Sequence, residues 1–416
     1  MTAPESKDNS YADKCFVIIG AGASGSAAAE TLRKEGFDGR LVMVTKEDCL
    51  PYDRTKLSKV YLRKNLIPPP TLRKEGFYSD NKIEVITGCE VINLDIRDRS
   101  IKCRDMEAIE YDKLLLATGG IARGLKIPGA ELENVFTLRN LEDAERIKTA
   151  ACDCTDAIVV GASFIAMETA ATLTERGLSV TVIAPESVPF ELSLGVEIGQ
   201  MLKDLHEENG VSFRLEHLVD SFEGNEKVER IVLKDGEKIN TGLVLVGIGV
   251  QPATDFITGI ELNPDGGIPV DRHFKAAEDV YAAGDVASFV DWRSGQSIRI
   301  EHWRIAGEQG RIAARNMMGK NEEYRGVPMF WTEQFGVNLM YVGYTKGWDE
   351  IIFHGEPSSR NFAAYYVKDG KILAVAGCGK KMQTSAVAKL ISLDKMPPPD
   401  EMRNGPVDFN SIIKQS

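Results

Sequence analysis

At 416 residues the chain exceeds the usual size of one hydrophobic core and is expected to divide into roughly two or three domains. Its 43% hydrophobic and 27% charged fractions are those of an ordinary soluble globular protein, and no apolar run reaches the length of a membrane span. A net charge of −12 argues against a general nucleic-acid binder, and seven cysteines without a Cys-x-x-Cys pair suit reduced thiols in an intracellular protein. The five histidines are scattered and give no zinc spacing, so no metal site is expected.

Residues 1–13 are polar, acidic and free of arginine, unlike a secretory or transit signal, and read as a disordered tail. The run 15–19 reads as a buried strand, the turn Gly20-Ala21-Gly22-Ala23-Ser24-Gly25 follows, and a helix is expected over 24–34 with Gly36 as its left-handed stop. A second strand over 41–44 completes a βαβ unit. The same grammar recurs at 157–160, Gly161-Ala162-Ser163-Phe164-Ile165-Ala166, a helix ending near Gly177, and 180–183. Identical heptapeptides at 31–37 and 71–77 read as a helix-ending coincidence, with Pro68-Pro69-Pro70 marking a surface loop between them. After Arg325 the pattern becomes antiparallel, with strands expected over 338–342, 351–354, 362–367 and 372–376 and a helix over 384–391.

Each glycine turn follows an apolar strand and opens a helix, the setting in which a pyrophosphate meets free helix N–H groups. In the first, Gly20 permits the bend, Gly22 lets the backbone approach the phosphates and Gly25 allows helix–strand packing. Glu47, about twenty residues past Gly25, is the expected ribose-binding acid. Two such turns point to two dinucleotides, and Ala117-Thr118-Gly119 and Ala283-Gly284-Asp285 each end an apolar strand in a small-residue turn. The second turn has Ser163 and Ala166 where glycines are usual. Glu186 stands two residues past Ala184, where the acid is expected, with no arginine nearby for a 2′-phosphate, so NADH is favoured and NADPH stays open.

The set Gly20-x-Gly22-x-x-Gly25, Pro51-Tyr52-Asp53-Arg54-Thr55-Lys56-Leu57-Ser58-Lys59, Ala117-Thr118-Gly119 and Ala283-Gly284-Asp285 resembles the pyridine nucleotide–disulfide oxidoreductases, over about residues 14–395. Thr45-Lys46-Glu47 and Trp303 are most similar to the ferredoxin-reductase and apoptosis-inducing-factor branch, of the type often linked to a Rieske domain. No Rieske pattern occurs here, so either the chain is a shorter paralogue or its cluster domain is missing.

The resemblance implies an α/β fold of two Rossmann-like domains and a C-terminal α+β domain. FAD would occupy 14–140 and 251–325, NAD(P)H 141–250, and residues 326–416 would form the interface domain. It implies that Arg54 reaches the FAD pyrophosphate, Val91 brackets the adenine, Arg123 lies near the cofactor and Asp285 holds the ribityl chain. Glu301, His302 and Trp303 would sit beside the flavin, with Trp331 covering its ring. Lys59, paired with Glu168, would lie near the hydride-accepting nitrogen; Gly161, Ser163, Phe164, Ile165 and Gly249 would contact the nicotinamide nucleotide. The expected activity is an FAD-dependent NAD(P)H oxidoreductase feeding an iron–sulfur protein. An NADH-sensing signalling flavoprotein, or a coenzyme A disulfide or persulfide reductase using Cys49, are the alternatives. A cytoplasmic location is expected, with mitochondrial association and an oligomer left open. Arg63-Lys64, Arg73-Lys74 and Lys380-Lys381 are candidate partner contacts.

Overall fold

The apolar run Cys15–Ile19 has all but its first side chain buried, as a strand covered on both faces requires. In the computed structural model, which describes residues 11–414, it lies at the centre of a six-stranded sheet. Across that sheet the strands run Lys275–Ala277, Val280–Ala282, Lys113–Leu116, Cys15–Ile19, Arg40–Val44 and Ile83–Ile86, parallel throughout except for the first pair. The chain order reverses between Cys15–Ile19 and Lys113–Leu116, which puts a crevice at their carboxyl ends. Helix Ala23–Lys34 follows the first strand and stops at Gly36, with φ +94°. It packs closely on helix Trp303–Met317, where a Cβ on Gly310 would stand 2.2 Å from the Ser24 carbonyl oxygen.

These elements belong to a unit that combines the chain through Asp53 with Pro70–Ile121 and Gln251–Gly326. A second unit combines Arg54–Pro69, Ala122–Val250 and Val327 onward. The expected nucleotide and C-terminal domains thus group together, and Arg54–Pro69, assigned by sequence to the FAD-binding domain, groups with them. The second unit repeats the first unit's plan. Its parallel sheet runs Ser212–Leu215, Ser179–Ala184, Asp156–Val160, Val244–Val246 and Val135–Phe136, again reversing beside the strand that precedes the glycine turn. Helix Phe164–Glu175 is stopped by Gly177, also at φ +94°. An antiparallel sheet of Met329–Gln334, Val337–Gly343, Lys371–Cys378, Phe362–Lys368 and Glu350–His354 carries helix Thr384–Ser392 over a core that includes Val375, Tyr365 and Leu390.

The two heptapeptide copies adopt different structures. Thr31–Lys34 closes a helix, whereas 71–76 is irregular and leads into the short helix Phe77–Asp80, so the expectation of two helix ends holds only for the first copy. What the copies share is local: Arg33 lies 5.4 Å over Phe37 and Arg73 5.4 Å over Phe77, a cation–π pair at the same spacing. Of the expected N-terminal tail, residues 1–10 lie outside the described residues. Tyr11 does not fit a disordered tail: its ring packs on Phe16 and Phe37, and its hydroxyl donates to the Met318 carbonyl at 3.1 Å.

Candidate functional site

In the first unit the glycine turn and the 117–119 turn close on each other. Gly20 has φ +105°, and a Cβ there would lie 2.2 Å from the Ala117 carbonyl oxygen. Gly25 is equally constrained, its missing Cβ being 1.9 Å from the Gly20 oxygen. Gly22 differs: it is extended, precedes helix Ala23–Lys34 without a side-chain cap, and has nothing within 4 Å of its absent Cβ. The first N–H groups of the helix have no acceptor within the helix, as at any helix start. Ser24 adds a buried hydroxyl without a protein partner. Behind the turn, Gly284 has φ +84° and its N–H donates to Gln309 at 2.8 Å. Thr118 donates to the Ala253 carbonyl at 2.8 Å, and Gly119, at φ +69°, accepts from the Ala253 N–H.

The remaining expected residues of this unit have protein partners of their own. Glu47 accepts from the Tyr52 hydroxyl at 2.5 Å, while its neighbour Lys46 pairs with Glu90 instead. Val91 opens strand Val91–Asp95 opposite Cys103. Arg299 is held between Asp265 and Glu301, and also donates to the Asp285 carbonyl. His302 precedes Trp303 at the start of helix Trp303–Met317; burial lowers its pKa to about 4, opposed by the Asp285 carboxylate.

In the second unit Gly161 matches Gly20, with φ +105° and a Cβ position 2.4 Å from the Gly247 oxygen. The substitution of Ala166 for a glycine is accommodated from across the sheet. Its methyl packs against Gly247, where a Cβ would come within 2.8 Å. Gly247 bonds to the end of its neighbouring strand as Ala117 does in the first unit, so the methyl has changed sides. Ser163 donates to the Gly247 carbonyl at 3.3 Å, Phe164 packs on Phe190 and Phe330, and Ile165 is exposed. Gly249, at φ +97°, has open space at its Cβ, and Arg123 closes the same loop through the Val250 carbonyl. Glu186 leaves one buried carboxylate oxygen, Oε2, without a protein partner.

A buried polar cluster of the second unit is centred on Glu168, which is 5% exposed. Its Oε2 accepts from Lys59 Nζ at 2.7 Å and from Ser58 Oγ at 2.6 Å; its Oε1 accepts from Thr332 Oγ1 at 2.8 Å. Lys59 sits at a break inside the π-helical turn Leu57–Tyr61, a distortion common at functional sites. Thr172 and Arg176 hold that turn by donating to the Ser58 and Leu62 carbonyls. Arg54, just before it, donates to the Arg139 carbonyl. Trp331, one residue before Thr332, is 40% exposed.

A family model described as pyridine nucleotide-disulphide oxidoreductase matches residues 14–310, and one described as reductase C-terminal matches residues 329–413. The chain belongs to the pyridine nucleotide-disulphide oxidoreductase family. It is 40% identical over 384 residues to human apoptosis-inducing factor 3, covering 90% of this chain but only 62% of that protein. It is 31% identical to the ferredoxin–NAD(+) reductase subunit of a benzene 1,2-dioxygenase system from Pseudomonas putida, covering 95% and 97% of the two chains. The crystal structure of the ferredoxin reductase for the CYP199A2 system of Rhodopseudomonas palustris superimposes with a TM-score of 0.91 at 31% identity, covering 96% of this chain and 99% of that one.

A pyridine nucleotide-disulphide oxidoreductase needs cradles for two dinucleotides, and the residues present fit both. The first has open space at Gly22 and the orphaned Ser24 hydroxyl; the second has the orphaned Glu186 oxygen beside its turn. Among the described residues no helix is long and apolar enough to cross a membrane. Of the basic pairs, Arg63 is bound to Glu175 at 2.6 Å and Arg73 to Glu30 at 2.7 Å.

Sequence reasoning missed Thr332, Gln334 and His206. Gln334 donates to Thr332 Oγ1 at 3.0 Å, and His206 Nε2 lies 2.7 Å from Gln334 Oε1. The available signal was two polar residues at i and i+2 on a strand whose intervening Glu333 faces out. Burial lowers the fully enclosed His206 from 6.5 to about 4, with the Gln334 bond opposing it. Unfolding lets this imidazole take a proton, so the unfolded state binds more protons between about 6.5 and about 4. Stability is expected to fall as pH falls through that window, by of the order of 3 kcal/mol. Urea unfolding across the window checks this, with His206→Gln expected to flatten that part of the curve.

Proposed function

We propose that the chain is an FAD-dependent NADH oxidoreductase that passes electrons to an iron–sulfur carrier of ferredoxin or Rieske type. The observation that carries this reading is the ion pair of Lys59 with buried Glu168, in a chain that also has one dinucleotide turn in each unit. FAD would be held by the turn Gly20 to Gly25, with Glu47, Thr118 and Asp285, and NADH by Gly161, Ser163 and Glu186. When bound, the flavin supplies the chemistry, accepting a hydride from NADH and giving up its electrons singly, as a one-electron acceptor requires. Lys59 would then bring a cation to the place where negative charge develops, and Glu168 would keep that cation in place before the substrate arrives. The tight packing behind each glycine turn fixes that helix end within its own unit. The similarity to the Pseudomonas putida ferredoxin–NAD(+) reductase subunit supports the acceptor class.

The test starts from the purified full chain. A yellow protein bleached by NADH without oxygen, then reoxidised by a ferredoxin, supports the reading; colourless protein after incubation with FAD ends it. The coenzyme choice is tested at Glu186, whose orphaned carboxylate oxygen suits a ribose hydroxyl. Glu186→Ala is expected to lower the kcat/KM ratio of NADH to NADPH about tenfold, the loss of one hydrogen bond to a charged group. An unchanged ratio places the ribose elsewhere.

A further inference from the structure

The polar chain behind Glu168 runs well beyond the pair that would meet the cofactor. Its links are Glu168 to Thr332 at 2.8 Å, Thr332 to Gln334 at 3.0 Å and Gln334 to His206 at 2.7 Å, and all four side chains are buried. A carboxylate in an ion pair only accepts, so the Thr332 hydroxyl proton is committed to Glu168. The Thr332 oxygen must then accept from the Gln334 NH₂ group, which leaves the Gln334 carbonyl oxygen facing His206. His206 Nε2 must therefore carry the hydrogen. The Nδ1 lone pair is buried without a partner, which is the cost of this arrangement.

Every bond is thus donated toward Glu168, and the direction set at the carboxylate reaches the tautomer of a histidine three side chains away. A proton relay does not fit, because the amide of Gln334 cannot pass a proton along without leaving its ordinary form. What such a chain transmits is orientation. His206 is itself held on edge by the rings of Phe213 and Phe335, so the far end of the chain has a fixed seat.

We propose that Thr332, Gln334 and His206 are positioning residues, which lock the Glu168 carboxylate and, through it, the direction in which Lys59 points. The kinetic part of this proposal rests on the flavin reductase reading; the tautomer part does not. Valine at position 332 keeps the shape of threonine and removes the donor. In rapid-mixing reduction at saturating NADH, Thr332→Val is expected to slow flavin reduction about tenfold with little change in the apparent affinity for NADH. Thr332→Ser is expected to restore it to within about twofold of the parent. In a Glu168→Gln background, Thr332→Val is expected to add less than about a further twofold, because residues acting through one group are not additive. A parent-like rate in Thr332→Val, or the same tenfold loss in both backgrounds, overturns the positioning role.

The second arm needs no cofactor turnover. NMR of the full chain with isotope-labelled histidine, assigned by loss of a signal in His206→Phe, is expected to show His206 as the Nε2–H tautomer. An Nδ1–H tautomer overturns the chain's direction. If the parent protein proves colourless or is not reduced by NADH, the reductase reading fails while the tautomer result still decides the chain.

Discussion

Lys59→Met is expected to cost the protein about 3 kcal/mol of stability and to slow flavin reduction by about a hundredfold or more. The stability loss follows from which partner lies deeper. Glu168 is 5% exposed, whereas the Lys59 side chain keeps 21% of its surface. Removing the ammonium leaves a buried carboxylate supported only by the Ser58 and Thr332 hydroxyls, and breaking a buried pair from that side typically costs about 3–5 kcal/mol. The lower end applies because the pair opens partly to water on the lysine side. Glu168→Gln is a gentler change, since the partly exposed ammonium can take water and the amide oxygen still accepts from one hydroxyl. About 1–2 kcal/mol is expected there. Denaturant midpoints of the two variants, measured beside their reduction rates, check the asymmetry. Equal losses, or a larger loss at Glu168, would mean that the carboxylate is not the costlier partner to leave unpaired.

The two glycine turns were legible because their demand on the chain is local. Gly20 and Gly161 share φ +105°, a conformation that side chains with a Cβ rarely adopt, so the requirement shows in the residue itself. The third turn position shows where that legibility ends. Ala166 looks like a departure until Gly247, more than eighty residues later, is seen to have given up the space its methyl occupies. The polar chain is hidden for the same reason. Thr332, Gln334 and His206 are ordinary residues in a strand and a helix, and only tertiary packing brings them behind Glu168. The grouping of Arg54–Pro69 with the second unit is equally invisible from its own residues, since the run was recognised by motif and not by what it packs on. The repeated heptapeptide makes the point within one chain. Thr31 to Phe37 and Thr71 to Phe77 keep the same arginine-over-phenylalanine contact, yet only the first copy finishes a helix, because only there does a long amphipathic segment precede it.

Within a single turn, Gly22→Val and Gly25→Ala are expected to fail in opposite ways. At Gly25 the new methyl would stand 1.9 Å from the Gly20 carbonyl oxygen and 3.1 Å from Ile18 Cγ2. The first of these is backbone, held by the sheet on one side and the turn on the other, so no side chain can swing away. The cost is expected at the upper end of ordinary overpacking, about 3 kcal/mol, and it falls on the whole first unit. At Gly22 the backbone is extended at φ −73° and nothing lies within 4 Å of the Cβ position. The Cβ of a valine there has open space around it, and the stability of the flavin-free chain is expected to change by less than about 1 kcal/mol. The isopropyl group would nevertheless fill the space in front of the helix N–H groups, where a pyrophosphate must come close to the backbone. Gly22→Val is therefore expected to purify folded and nearly colourless, and to take up added FAD at least about a hundredfold more weakly than the parent, since even a ~3 kcal/mol loss corresponds to that ratio. Circular dichroism and denaturant unfolding report the fold, and visible absorbance after gel filtration reports the cofactor. If Gly22→Val keeps full colour, the phosphates do not lie against this turn, however well its glycines match the pattern.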